Sequence, residues 1–224
     1  MIELPRVRPF VGKAIRPVLV DARIEGGGAF GWSPVTGTAD GGGWWEWTTR
    51  GMMAFRPDHR RALRAVAALV RGGETIRVPV TDDPQRLSPL PDPVPFSDGA
   101  SFSDDTLFAG NAVEAVLDAP VALRDDEATI WIKTGQELRG GDYFSLERTG
   151  RGPELHLTTS VEPLGSGRWR VRVAPNFRAA HPAGAVCEFD RPAFEATIPD
   201  TSTLWPEYGT DWIGEAEVTF VEAP

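Results

Sequence analysis

The chain has 224 residues, which is enough for one large all-β domain or two small ones. Its 24 glycines and 20 prolines both exceed average usage, so we expect frequent chain reversals instead of long helices. The formal net charge of −9 repels phosphate backbones, and no run of Lys and Arg overrides that field, which argues against a nucleic-acid-binding protein.

The cysteine content and the N-terminus narrow the class of protein further. Cys187 is the only cysteine, so the chain cannot form an internal disulfide or a cysteine-based zinc site, which fits a reducing compartment. Residues 1–8 lack the apolar core of a signal peptide, and no stretch of about 18 apolar residues occurs anywhere. We therefore expect a soluble protein with no membrane partner.

Alternating apolar residues and turn signals predict strands in the first part of the chain. Residues 18–24 predict one strand that ends at the glycines 26–28, and residues 43–55 predict another. Residues 74–80 alternate as a half-buried strand. Since proline cannot donate to a ladder, Pro79 predicts that this strand lies at a sheet edge.

Residues 56–71 carry the only convincing helix pattern in the chain. Pro57 and Asp58 suit the first helical turn, and Gly72 suits the exit. Apolar residues follow the i, i+3, i+4, i+7 spacing at Leu63, Val66, Ala67 and Val70. Arginines mark the solvent side at Arg60, Arg61, Arg64 and Arg71. The helix is therefore expected to pack one apolar stripe on a sheet.

Residues 81–112 differ from the rest, because Pro, Ser, Asp and Gly dominate and neither a strand nor a helix period persists. Apolar residues nevertheless recur here, at Leu90, Phe96, Phe102, Leu107 and Phe108. Their number is too high for a flexible tether. We predict a loop or arm that packs on its own domain or reaches a neighbour.

Short strands and glycine turns return after the arm, with strands predicted at 113–117, 121–124, 128–133, 143–148, 154–160, 168–174, 184–189 and 193–198. Residues 199–224 are predicted to be a C-terminal arm that ends in the strand "EAEVTFVEA". The predicted fold is mainly β: a β-sandwich with one flanking helix over 1–80, then a second small β-sandwich or barrel region over 113–198. A single domain combining 1–80 with 113–198 remains the alternative.

Motifs that would carry catalysis or cofactor binding are weak. The sequence "GGGAFG" at 26–31 fits G-x-G-x-x-G, but Trp, Ser and Pro follow where a dinucleotide site needs a helix. We interpret these glycines as a turn. Acidic pairs could bind a hard cation but match no calcium loop, so solvated turns are the better interpretation of Asp82–Asp83, Asp104–Asp105 and Asp125–Asp126.

The histidines and the cysteine lack the partners that a reactive site requires. His59 is expected on the solvent side of the helix, and His181 lies in a loop. His156 is expected on the strand face opposite to its core-facing neighbours Leu155 and Leu157. Cys187 sits in a predicted strand and is expected to be a buried, inert thiol. We assign no catalytic, cofactor-binding or metal-ligating residue and expect no cofactor.

A set of turn-and-strand features follows one order along the chain: Val70–Gly72 before a strand, Gly141–Asp142 opening a strand, Leu155–His156 within a strand, and Gly167–Pro175. Their letters are "LRG"-like, "GD", "LH" and "G-x-x-x-V-x-V-x-P". This order, over residues 43–80 and 135–198, resembles a family of tailed-phage distal tail or minor tail proteins, most often from long non-contractile tails.

Turn and strand chemistry explains these letters without any reaction. Gly141 is expected at positive φ, and the Asp142 side chain is expected to cap local N–H groups. Pro175 is expected to end a strand by removing a ladder donor.

The resemblance implies a structural virion protein: a ring-forming distal tail subunit of a siphophage-like tail, which joins the tail tube to the baseplate or tail tip. Prophages and gene-transfer-agent-like particles are further sources of such tails. Rings in this family, commonly hexamers, leave a channel through which DNA passes without being bound, in agreement with an acidic chain. The implied partners are further copies of the chain, the tail tube protein and tail hub or tip proteins.

The expected location is the virion tail, after synthesis in the host cytoplasm, and no enzyme activity is implied. Within the ring, the helix over 56–71 and the strand over 74–80 are the predicted contact elements. The arm over 81–112 is predicted to touch the tube or a neighbouring subunit.

Two other functions stay open from the sequence. A carbohydrate-binding module could use Trp44, Trp45 and Trp47 for stacking, although alternation is expected to place Trp45 opposite the other two. A hydrolase could use carboxylates that are remote from each other in the chain.

Overall fold

A computed structural model describes residues 1–3, 13–14, 17–20, 23–25, 36–38, 42–54, 56–80, 113–205 and 214–223. Over these residues the fold is mainly β with one α-helix, as predicted. The chain divides into two compact units: unit 1 comprises Met1–Asp82, Glu147–Leu155 and Ala193–Pro224, and unit 2 comprises Asp83–Leu146 and His156–Pro192. No helix among the described residues has both the length and the apolar character needed to span a membrane.

In chain order the elements are β1 (Ile2–Glu3), β2 (Lys13–Ala14), β3 (Val18–Val20), β4 (Arg23–Glu25), β5 (Thr36–Thr38), β6 (Trp44–Ala54), α1 (Pro57–Arg71), β7 (Ile76–Pro79), β8 (Glu114–Leu117), β9 (Glu127–Thr134), β10 (Tyr143–Glu147), β11 (Pro153–Gly165), β12 (Arg168–Ala174), β13 (Ala193–Thr197), a 3₁₀ helix (Thr201–Leu204) and β14 (Gly214–Glu222). The predicted bounds of β6, α1, β8, β9, β10, β12 and β13 are confirmed to within one residue.

Unit 1 is built on a seven-stranded sheet in the order β1-β7-β13-β14-β6-β2, with β3 also paired to β6. Its pairs are antiparallel except for the parallel pair of β1 and β7. β14 comes from the predicted C-terminal arm and lies between β13 and β6, so this segment supplies an inner strand. The prediction of one strand over 18–24 is wrong, because β3 pairs with β6 while β4 pairs with β5 in a separate sheet.

The predicted edge position of β7 is wrong, because β7 lies between β1 and β13 in the sheet. β13 pairs with β7 along one side, where Ala193 lies opposite Pro79. On the other side, β1 pairs with Ile76 and Arg77. Among the described residues this second pairing stops before Pro79, whose missing N–H therefore breaks no ladder there.

Helix α1 follows from its local sequence. Pro57 occupies the first turn, where its missing N–H has no helical partner in any case, and Asp58 complements the positive end of the helix dipole. The predicted stripe is buried, and it consists of Leu63, Val66, Ala67 and Val70. The helix packs against β6 and the 3₁₀ helix. It ends at Arg71, and Gly73 then takes a φ of 93°, which favours glycine.

Unit 2 is built on a five-stranded sheet in the order β10-β11-β12-β9-β8. The predicted turn before β10 is confirmed: Gly141 has a φ of 100°, and the Asp142 carboxylate accepts the N–H of Arg139 at 2.7 Å. The Asp142 N–H in turn donates to Thr158 Oγ1 at 3.0 Å. As expected, β12 ends at the residue before Pro175.

Residues 184–189 join the two edges of this sheet. On the β8 side, the Leu117 N–H donates to the Ala185 carbonyl at 2.9 Å. On the β10 side, Ser145 and Glu188 donate to each other's carbonyls at 3.0 and 2.9 Å. One segment therefore bonds to both edges, which is the arrangement that a small barrel requires.

The predictions of full strands over 121–124 and 184–189 are wrong. Val121 and His181 form a single isolated bridge, and residues 184–189 pair through isolated bridges at Val186 and Glu188. Val186 pairs with β8 at one edge of the sheet and Glu188 pairs with β10 at the other, so residues 184–189 form no continuous ladder with either strand. Residues 123–124 lie in a turn, where Arg124 has a φ of 75°, so the apolar residues after Val121 do not continue a strand.

The core of unit 2 is apolar and aromatic. Its largest fully buried members are Phe144, Phe177, Leu117, Ile130 and Leu146. Side chains alternate along β12: Val171 and Val173 are buried, and Arg170 and Arg172 are exposed on the opposite face. Along β11 this alternation fails, because residues 153–156 are all buried and both strand faces are covered there.

Candidate functional site

The outer face of α1 concentrates positive charge on an acidic chain. Arg61, Arg64 and Arg71 are exposed at helical spacing. Arg60 was predicted on the solvent side as well, but it is half-buried. Arg61 Nη1 donates to the exposed Asp58 Oδ1 at 3.1 Å. In the part of the chain that the structure describes, neither Arg64 nor Arg71 forms an ion pair. The guanidinium groups of Arg64 and Arg71 can therefore bind carboxylates that do not belong to the described residues.

Exposed apolar side chains accompany these arginines. Leu69 is 46% exposed, and Trp205, directly after the 3₁₀ helix, is 55% exposed. The Arg64 guanidinium carbon lies 6.0 Å from the centroid of the Trp205 ring, within cation–π range. We call this set the α1 surface; it consists of Arg61, Arg64, Ala65, Ala68, Leu69, Arg71 and Trp205.

The chemistry of the α1 surface suits a protein partner. Guanidinium groups bind carboxylates through two parallel hydrogen bonds, and this geometry is specific to arginine. Tryptophan and arginine are also the residue types that contribute most to protein interfaces. The surface therefore offers binding for an acidic partner that also carries apolar side chains.

Two of the three histidines do not occupy the positions that the sequence predicted. His59 is half-buried, not on the open solvent side of α1. His156 is fully buried in the core of unit 2, not opposite to it, while Leu157 is only half-buried. Its ring lies 4.5 Å from that of Phe177, which in turn lies 6.3 Å from that of His181. The structure thus brings two histidines to one phenylalanine, which no spacing in the sequence indicated.

The hydrogen bond of His156 fixes its proton position. Nδ1 lies 2.9 Å from the Pro175 carbonyl oxygen, so Nδ1 carries the proton and donates it. The centroid of the Phe144 ring lies 5.3 Å from that of the His156 ring. These contacts give His156 a packing role in the core.

Cys187 is buried, as expected, with no exposed side-chain area. Burial raises the pKa of its thiol far above the ordinary value. Because the thiolate is the nucleophile, this environment keeps the sulfur unreactive.

The three neighbouring tryptophans of β6 do not form a common platform. Trp44 is 36% exposed, whereas Trp45 and Trp47 are buried on one face. The expectation that Trp45 lies opposite Trp47 is wrong, since residues two apart in a strand share a face. Trp45 Nε1 donates to the Leu155 carbonyl at 2.8 Å, and Trp47 packs on Phe220 with ring centroids 6.5 Å apart. Only one ring is available for stacking on a ligand.

The acidic pair Asp125–Asp126 forms an exposed turn, in which the Asp125 carboxylate accepts the Ala122 N–H at 2.7 Å. The pairs at 82–83 and 104–105 and the glycine motif at 26–31 lie outside the described residues. Among the residues that are described, no group of three or more His, Cys, Asp or Glu side chains is placed to hold a metal ion.

A buried ion pair in unit 1 was not predicted. Arg148 Nη2 lies 2.9 Å from Glu195 Oε2, and the Gly152 N–H donates to the same oxygen at 2.9 Å. Thr75 Oγ1 donates to the other carboxylate oxygen at 2.6 Å. Burial by itself raises the pKa of Glu195, but the bonds from Thr75 and Gly152 and the charges of Arg148 and Arg151 outweigh it and hold that pKa below its ordinary value.

An open cavity of about 280 Å³ lies on the outer face of unit 2, lined by Glu127, Ser160, Glu162, Arg170 and Arg172. Arg170 lies 2.9 Å from Glu162 and 3.4 Å from Glu127, and Arg172 lies 3.8 Å from Glu127. The partners of the β12 arginines come from the neighbouring strands β9 and β11, which no spacing in the sequence connects to them. The cavity balances carboxylates against guanidinium groups, so it favours neither cationic nor anionic ligands.

No protein-family model matches the chain, and no curated protein matches its sequence. Function is therefore inferred from the residues of the chain and their arrangement.

Proposed function

We propose that the chain is a ring-forming structural subunit of a tailed-phage tail, located at the distal end of the tail tube where it joins the baseplate or tail tip. The observation that carries this proposal is the construction of unit 1. A single helix packs its apolar stripe on a β unit and presents a basic, partly apolar surface to solvent. A β core flanked by one helix is what the resemblance implies for such tail subunits.

The residues that carry the resemblance support a structural function. Gly141 and Asp142 make a capped turn, and the strand of β12 runs from Arg168 to Ala174 and stops before Pro175. These residues shape backbone instead of contacting a reacting group. Such positions recur in a family for the geometry of its fold.

A ring places specific demands on each subunit, and the α1 surface meets one of them. Ring closure needs a heterologous contact, in which one face of each copy binds a different face of the next. The basic α1 surface is suited to such a contact, because the chain as a whole carries 32 acidic against 23 basic side chains and each further copy supplies that excess of carboxylates. The partners proposed above and below the ring are the tail tube protein and a tail hub or tip protein, with DNA passing through the channel.

The test is the assembly state of the purified full chain. Light scattering at increasing concentration, together with electron microscopy of the same sample, should show closed rings with a central channel. Antibodies against the chain should also label one end of the tail tube in particles from the source strain. The proposal would be wrong if the chain stayed monomeric at high concentration and was also absent from such particles.

A further inference from the structure

We propose that the α1 surface of one subunit binds the acidic segment 82–105 of a second copy of this chain. The inference rests on the proposed function, because it identifies the contact that would link neighbouring subunits of the ring. The occupant is argued from charge complementarity between two parts of the same sequence.

The receiving side is defined by the described residues. Arg64 and Arg71 are exposed and form no ion pair with any described residue, and Arg61 has only the exposed Asp58 as a partner. Leu69 and Trp205 add exposed apolar area on the same helix and on the segment beside it. Between them the small side chains of Ala65 and Ala68 are exposed, which lets a second chain lie close to the helix backbone.

The segment 82–105 has the complementary composition. Its only basic residue is Arg86, against the acidic residues Asp82, Asp83, Asp92, Asp98, Asp104 and Asp105. Apolar residues lie between the acidic ones, at Leu87, Leu90, Val94, Phe96 and Phe102. Positive charge is thus concentrated on α1 and negative charge on this segment, although they belong to one chain.

The pairing follows from the chemistry of these groups. Carboxylates of the segment meet the guanidinium groups of α1, and its phenylalanines meet Leu69 and Trp205. Every copy carries one such surface and one such segment, so each subunit is both a donor and an acceptor and the contact repeats around a ring. Since exposed charges are screened within about 10 Å at 0.1 M salt, association should weaken as the salt concentration rises.

Charge reversal on the full chain tests the receiving side. Arg64→Glu combined with Arg71→Glu should weaken self-association at least about 10-fold in sedimentation velocity at low salt, a factor that corresponds to about 1.4 kcal/mol. The matched control is Arg170→Glu combined with Arg172→Glu, which makes the same charge change on exposed arginines of unit 2 and should leave association unchanged. Adding Asp104→Arg and Asp105→Arg to the α1 variant should restore association. Circular dichroism and urea unfolding check that each variant folds.

Cysteine cross-linking tests the occupant directly. A chain with Ala68→Cys is mixed with a chain that carries Ser101→Cys and a mass tag, and the mixture is oxidised mildly; native Cys187 is buried and stays silent. The expected product is a disulfide between the two kinds of chain, formed in preference to either homodimer. A third chain carries both substitutions. If a disulfide forms within that chain and none forms between the two singly substituted chains, the segment binds its own subunit and the inference is overturned.

The remaining outcomes separate this contact from the proposed function. Wild-type rings together with α1 variants that assemble equally well would overturn the contact and leave the ring. A wild type that stays monomeric at every concentration would overturn both. Variants that assemble normally but lose binding to duplex DNA would assign the α1 surface to nucleic acid and overturn the contact as well.

Discussion

Each of the two units contains an arginine–glutamate ion pair of the same length in different surroundings. The nitrogen–oxygen distance is 2.9 Å both for Arg148 and Glu195 in unit 1 and for Arg170 and Glu162 in unit 2. The side chains of the first pair are 4% and 11% exposed, and those of the second are 46% and 64% exposed. Water screens the second pair, so equal geometry does not imply an equal contribution to stability.

The largest effect is expected from removing one partner of the buried pair. Arg148→Leu leaves the Glu195 carboxylate buried without its positive partner and removes the bond from Arg148 Nε to the Gly152 carbonyl. We expect the free energy of unfolding to fall by about 4 kcal/mol, measured by urea denaturation at pH 7. The matched control, Arg170→Leu, should cost less than about 1 kcal/mol.

A small loss for Arg148→Leu, similar to that of Arg170→Leu, would contradict the contrast between the units. It would mean that the Thr75 and Gly152 donors, together with the charge of Arg151, are enough to hold the Glu195 carboxylate. Glu195→Gln with Arg148 intact is the complementary measurement, because it leaves the Arg148 guanidinium buried without a carboxylate. A large loss of unfolding free energy for this variant would show that the guanidinium, and not the carboxylate, depends on the pair.

The backbone of unit 2 should be more sensitive than its exposed ion pairs. A Cβ added at Gly167 would lie 2.6 Å from the Ile132 carbonyl oxygen, and Gly167 has a φ of 74°. Gly167→Ala should therefore cost about 2 kcal/mol in urea denaturation. Gly165→Ala in the same turn is the control: its φ is 87°, but no atom lies within 4 Å, so about 1 kcal/mol is expected. Equal losses at both glycines would assign the whole effect to φ and none to the contact.

Local chemistry made part of this fold predictable from the sequence. The limits of α1 follow from its apolar spacing and from Pro57 and Gly72, each of which acts on the helix end beside it. The turn at Gly141–Asp142 follows in the same way from positive φ and a side-chain cap. The exposed arginines of α1 were therefore predictable as a surface, although the neighbouring Trp205 was not, since it returns from the far end of the chain.

Non-local contacts explain what could not be predicted. His156 was placed on the wrong face because alternation assumes one buried face, and both faces of β11 are covered at residues 153–156. The cluster around Glu195 joins residues from positions 75, 148 and 152, which no spacing rule connects. β4 was merged with β3 because the sequence does not show that the two strands pair with different partners.

A smaller effect is expected from pH, and its sign should differ between the units. The pKa of Glu195 in unit 1 is held below its ordinary value, so its contribution to stability is present above the unfolded-state pKa and is lost as pH falls through the folded-state pKa. Burial, and after it the charge of Glu188, raises the pKa of Asp190 in unit 2 above its ordinary value, despite the hydrogen bond from the Val113 N–H and the charge of Arg191. Its contribution therefore opposes folding at neutral pH and disappears as pH falls.

Urea midpoints between pH 7 and pH 3 measure these slopes. Glu195→Gln should reduce the loss of stability on acidification, whatever its effect at pH 7, and Asp190→Asn should increase that loss. A change of slope in the same direction for both variants would contradict the opposite environments of the two carboxylates. The conservative amide replacements keep the side-chain size, so the slope isolates the charge.

The smallest effect is expected for the exposed pair of unit 2, and a double-mutant cycle measures it. Arg170 contacts Glu162 at 2.9 Å and Glu127 at 3.4 Å, so removing Glu162 leaves a second carboxylate beside the same guanidinium. The coupling energy from Arg170→Gln, Glu162→Gln and the double variant should be about 0.3 kcal/mol and should vanish in 1 M salt, where the Debye length is about 3 Å. The same cycle on Arg148 and Glu195 should give a coupling several times larger that persists in salt, because those charges have little access to ions. A salt-resistant coupling above about 1 kcal/mol at Arg170 would mean that the outer face of β9, β12 and β11 excludes water, and exposure would no longer distinguish the two pairs.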